Sequence, residues 1–206
     1  MFQYYRYGIR HPRVAERTSH NALVIDFGGG TFDVCVISTT REGDISQSGR
    51  KSRPLAASSI PVGGFYVNRL IAEQVYKKQF GKDKARYKRA AAVYHRWLKD
   101  GKDTTLDSVL PEVKRFVMNL HRTSHFSEDL KLTLCRNMPH WDLEKDVNLS
   151  APLSIPADPF GEAGTTIDVR YTAAEFRALF ETSVWRDKLR AVVGQALNGS
   201  FQADRA

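Results

Sequence analysis

The sequence predicts an α/β domain. Three observations point there: two apolar runs joined by a glycine turn at Ala22–Ser38, a later apolar stripe at helical spacing from Phe176 to Leu197, and a length of 206 residues, enough for one sizeable core. Leu23, Val24 and Ile25 are apolar and partly β-branched, so they favour a buried strand. Val34, Val36 and Ile37 form the return strand. Between them lie Asp26, the glycines Gly28, Gly29 and Gly30, then Thr31 and Asp33.

A strand that carries a carboxylate into a glycine turn can hold phosphate. Consecutive glycines permit positive φ and let an anion reach backbone N–H groups with no Cβ in the way. Thr31 offers a hydroxyl to phosphate or water. Asp26, at the strand end, can hold hydrated magnesium or orient water. Asp33 lies two residues past Thr31, on the same face of an extended strand. No Gly-Lys-Ser/Thr follows, so this is not a Walker loop. A plain hairpin with a glycine-rich turn has the same pattern.

Along the chain, Phe2–Tyr7 reads as the tail of a helix stopped by Gly8. Residues 41–53 are a polar loop, with a short strand possible at 44–48. Leu55–Pro61 is a third strand, and Val67–Phe80 a helix. Lys84–Lys99 is a second helix, ended by Gly101. Thr104–Ser108 offers the N-cap of a third helix, running to about Leu120 with Pro111 in its first turns. Leu130, Leu132 and Leu134 alternate with polar residues, which predicts a strand. Residues 137–159 carry several prolines and read as irregular. Thr165–Arg170 is a strand, and Thr172 caps the next helix with Glu175 at capping-box spacing.

The net charge is +8. Much of it lies in Tyr76–Lys102, where Tyr87, Tyr94 and Trp97 interleave with Lys and Arg. Such a stripe can bind nucleic acid. A solvated amphipathic helix is the favoured reading, because no nucleic-acid motif accompanies the charge. Cys35 and Cys135 are expected as buried, reduced thiols in apolar strands, which suits a cytoplasmic protein. No apolar run reaches the ~20 residues of a membrane span. The histidines, His20, His95, His121, His125 and His140 among them, show no ligand pattern. Surface or capping roles are expected for them.

Residues 25–37, IDFGGGTFDVCVI, resemble the second phosphate motif of the seventy-kilodalton heat-shock chaperone ATPases, of the actin and sugar-kinase superfamily. Tyr7-Gly8, Val62–Leu70 (VGGFYVNRL) and Tyr171–Leu179 (YTAAEFRAL) resemble further segments of that family's second lobe. The resemblance implies a ribonuclease-H-like mixed sheet flanked by helices, with residues 1–20 as a basic leader or interlobe helix end and 21–206 as the lobe. About 67–125 would be its helical subdomain.

It also implies ATP or ADP with magnesium as cofactors. Asp26, Thr31 and Asp33 would be catalytic, with Asp26 holding magnesium through water. Gly28, Gly29, Gly30, Thr31, Gly63 and Gly64 would bind the nucleotide. The acids that follow the family's glycine pair are replaced by Phe65, Tyr66 and Val67. Of the family's adenosine helix, Glu112, Lys114 and Arg115 are a poor copy, and His121, Arg122 and Ser124 are an alternative. A complete domain of this superfamily has two lobes. The expectation is therefore a lobe not competent for ATP hydrolysis alone, partnered by a first lobe or a co-chaperone. The alternatives are a protein-interaction platform and part of an actin-like filament protein.

Overall fold

The computed structural model describes residues 19–40, 53–100, 104–137, 149–162 and 164–203. The segments expected at Phe2–Gly8 and 41–52 lie outside these residues, as does Gly101. The described chain is mixed α/β with two antiparallel sheets. It divides into two compact units, one reaching up to Gly63 and resuming at Ser183, the other Gly64–Thr182.

The first unit is built on a meander of three antiparallel strands, β1 (Ser19–Phe27), β2 (Phe32–Thr40) and β3 (Arg53–Ile60). The expected hairpin is β1–β2, and the expected third strand is β3. Direct pairing of Ile25 with Val34 and of Leu23 with Val36 puts these side chains on one face. Phe32, Val34 and Val36 are buried there, whereas Leu23 and Ile25 are exposed, so β1 is not the buried strand expected. Helix α6 (Arg190–Ala203) packs on β2 and β3, with Val192 and Ala196 in the interface core. Ser58 donates to Gln195 at 3.2 Å. The β2–β3 register slips between Val36 and Ile37, where Pro54 faces Ile37. Proline tolerates this place because β3 is an edge strand.

The second unit is mainly helical: α1 (Gly64–Phe80), α2 (Lys84–Asp100), α3 (Thr104–Asp107) and α4 (Pro111–Asn137). Helix α1 buries Val67, Ile71 and Val75 with Asn68, Ala72 and Tyr76, two i, i+4, i+8 rows. Helix α2 buries Ala90, Val93 and Tyr94 while Lys84, Arg86, Lys88 and Arg89 stay exposed, the expected amphipathic pattern. Tyr76, Tyr87 and Phe160 all ring Phe116, with centroids 5.6, 5.7 and 4.9 Å away. Tyr76 and Thr123 hydroxyls meet at 3.1 Å inside this core.

Three expectations are corrected here. The single third helix is two, because Pro111 starts α4 afresh at its first position, where its missing N–H costs nothing. Leu130, Leu132 and Leu134 belong to α4. Leu130 and Leu134 are one helical turn apart and both buried, whereas Leu132 is exposed, so the row of alternating leucines is a helical stripe with an outlier. Part of the stretch read as irregular is strand β4 (Ser150–Pro156), which pairs with β5 (Thr166–Thr172). Ala151, Leu153 and Ile155 point inward, with Pro152 and Ser154 outward.

Helix α5 (Ala173–Leu179) begins with the expected capping box: the Glu175 amide donates to Thr172 Oγ1 at 3.2 Å, and the Thr172 amide donates to Glu175 Oε2 at 2.8 Å. A π-helical stretch, Phe180–Leu189, leads on to α6. The cysteines also differ from expectation. Cys35 is half-buried in β2, and Cys135 is an exposed residue of α4. Among the described residues no helix is long and apolar enough to cross a membrane.

Candidate functional site: the glycine hairpin

The β1–β2 connection is Gly28-Gly29-Gly30-Thr31, closed by the Phe27–Phe32 pair. The Gly28 amide donates to the Thr31 carbonyl at 2.9 Å. The amides of Gly29 and Gly30 have no acceptor among the described residues. Gly29, Gly30 and Thr31 are exposed. The loop thus leaves two backbone donors on exposed residues without a described acceptor, as an anion site requires.

Gly28 and Gly30 both lie outside the left-handed region, so the expected positive φ is not found at these two positions. Their use is space. A Cβ on Gly30 would meet nothing within 4 Å, so the fold makes no demand for glycine there. Gly63 is the opposite case. A Cβ there would lie 2.5 Å from the Gly28 carbonyl oxygen and 2.7 Å from the carbonyl carbon and oxygen of Gly29. Gly63 is buried against the turn and braces it from behind. Two motifs separated by more than thirty residues in sequence therefore meet. Gly64 opens α1 in the other unit, where Lys131 Nζ approaches its carbonyl at 3.4 Å.

Asp26 and Asp33 are direct partners across β1 and β2 and share a face. Thr31 Oγ1 donates to Asp33 Oδ2 at 2.8 Å, and Ser59 Oγ donates to Asp33 Oδ1 at 2.5 Å. These bonds, Ser59's first, hold the Asp33 carboxyl below its ordinary range. Asp26 is exposed and has no hydrogen bond or ion pair with a described residue. Like charges placed directly opposite each other oppose folding, and a cation between them would relieve that. Among the described residues no three of His, Cys, Asp and Glu gather as a cage. Two carboxylates and a hydroxyl nevertheless suit magnesium, which keeps several waters and takes other contacts from phosphate.

The adenosine candidates all fall on α4 in the second unit. There Glu112 faces Arg86 at 3.9 Å and Arg115 faces Glu162 at 3.2 Å, so both are used in surface ion pairs. Ser124 donates to the His121 carbonyl at 2.6 Å. Arg122 lines a cavity of about 520 Å³ between α4 and β4, with Asn119, Phe126, Asp129, Pro152 and Ser154. Of the heat-shock-like segment at 62–70, Asn68 is buried and donates to Glu128 at 2.5 Å, a bond within the helical core.

His121 and His125 meet on α4, Nε2 to Nε2 at 3.2 Å. The signal was their spacing of four, which acquires meaning only when the helix continues past Leu120. The chain matches no protein-family model and no curated protein.

Proposed function

We propose that the first unit is the phosphate-binding part of a ribonuclease-H-like, chaperone-type nucleotide-binding lobe, with ATP or ADP and magnesium as its ligands. The observation that carries this is Gly30: its missing Cβ serves no packing purpose, while the adjoining amides lack acceptors. The amides of Gly29 and Gly30 donate to phosphate oxygens. Asp26, unencumbered, accepts hydrogen bonds from metal-bound water. Thr31 divides its hydroxyl between Asp33 and the ligand, and Ser59 keeps Asp33 charged when Thr31 turns away. When bound, magnesium-ATP supplies the γ-phosphate whose hydrolysis is the reaction of the resembled family. Asp26, Gly29, Gly30 and Thr31 all face solvent, so this chain alone binds weakly and hydrolyses negligibly; positioning and water exclusion are what the chemistry needs.

A second reading, a protein-interaction platform, has its own support. Leu23, Ile25 and Phe27 on β1 are 43%, 50% and 38% exposed, although their partners on β2 are buried.

The test is a thermal-shift titration of the full chain with magnesium-ATP against magnesium chloride alone, using wild type and Gly30→Val. The expected result is a small rise in Tm that Gly30→Val abolishes. No rise at millimolar nucleotide, or an equal rise in the variant, refutes the reading.

A further inference from the structure

We propose that His121 and His125 form a two-histidine clamp for a divalent transition-metal ion of the copper, zinc or nickel class, on the outer face of α4. This site lies in the second unit and does not depend on the nucleotide reading.

Residues four apart on a helix are neighbours on one face, and histidines so spaced are a recurring zinc-binding arrangement. The Nε2–Nε2 separation is 3.2 Å. Two nitrogens each ~2.05 Å from one tetrahedral metal stand about 3.3 Å apart, so the clamp already has the required bite. In a hydrogen bond, one nitrogen points along the line to the other. For a shared metal, each lone pair must tilt about 35° off that line, to meet at the metal. The last torsion of histidine is broad, so each ring can turn this far at little cost.

Exposure differs usefully between the two. His125 is exposed, whereas His121 is half-buried with its ring edge-on to Trp97 of α2, centroids 4.9 Å apart. One ligand is thus anchored and the other is free to close on an arriving ion. No third His, Cys, Asp or Glu joins the pair among the described residues. Water or an added ligand would complete the coordination. His121 Nδ1 is buried without a hydrogen-bond partner among the described residues, and so without the outer acceptor that typically tightens metal-binding histidines. The clamp therefore loads and empties with the free metal concentration. Imidazole donors select copper, zinc and nickel over magnesium and calcium.

Trp97 provides the readout. The untagged full chain is titrated with Cu2+ at pH 7.5 while tryptophan fluorescence is followed. Cu2+ quenches only nearby indoles, and Trp97 sits against His121. The expected result is saturable quenching at one equivalent, reversed by EDTA, with copper EPR showing nitrogen ligation. His125→Gln, an exposed change that leaves the core intact, should weaken the binding at least tenfold. His95→Gln should leave it unchanged, and Trp97→Phe should remove the quenching. Equal affinity in wild type and His125→Gln overturns the proposal, as does undiminished quenching in Trp97→Phe.

Discussion

Gly63→Ala and Gly30→Ala make the same chemical change at the two glycine positions whose surroundings differ most. At position 63 the new methyl would sit 2.5 Å from the Gly28 carbonyl oxygen and 2.7 Å from two Gly29 backbone atoms. Reaching even 3.0 Å requires a movement of about half an ångström between two backbone segments, and backbone cannot swing aside as a side chain can. Overpacking of this kind costs about 1–3 kcal/mol. For a chain of this length each kcal/mol shifts Tm by about 2–4 °C, so the expected drop is ~2–12 °C. At position 30 the methyl enters open space in a backbone conformation that L-residues accept. The expected change is within ~0.5 kcal/mol, and restriction of the unfolded chain pushes it towards stabilisation. The assay is paired calorimetry of the two variants and wild type. An unchanged Tm in Gly63→Ala would refute the bracing of the turn. A drop in Gly30→Ala as large as that in Gly63→Ala would mean that glycine 30 is structural, and the argument that it leaves room for a ligand would fall.

Further outcomes follow from the same contacts. Asp26→Asn removes one of two facing carboxylates, so Tm in metal-free buffer should hold or rise; a clear fall would mean that Asp26 is a structural acceptor. Ser59→Ala should raise the Asp33 pKa, read by NMR titration of its carboxyl. Because the folded value is depressed, the stability linked to Asp33 is present above the unfolded value of 3.8 and is lost as pH falls through the folded one. Burial pushes the Tyr76 and Tyr87 hydroxyls up to about 12. Stability from these neutral phenols is complete below pH 10 and declines as pH rises towards 12, so alkaline unfolding should begin before either ring ionises in the folded state; normal ionisation near pH 10 by ultraviolet absorbance would contradict their burial. Thr172→Ala deletes the capping box of α5 and should cost ~0.5–2 kcal/mol by denaturant unfolding.

The hairpin was legible because its pattern is local: β-branched runs flank a turn, and Asp26 and Asp33 fall opposite each other once the loop holds four residues. The capping box at Thr172 was legible for the same reason. The bracing contact of Gly63 was not, since nothing in the sequence says which backbone will approach a glycine. Leu130–Leu134 misled because spacings of two and four coexist there, and only packing against neighbouring elements chooses the helix. Prolines at 152 and 156 hid the inward alternation of Ala151, Leu153 and Ile155. The histidine pair was hidden by the same shortened helix, because spacing of four brings rings together only on a continuous α4.

The most direct test of the phosphate site is an amide-resolved NMR titration of the full chain with magnesium-ADP and magnesium-ATP, which detects weak binding. The largest shifts are expected at Gly28–Asp33 and Gly63, with greater displacement by ATP than by magnesium alone. Shifts confined to residues 64–182, or none at saturating nucleotide, would contradict it.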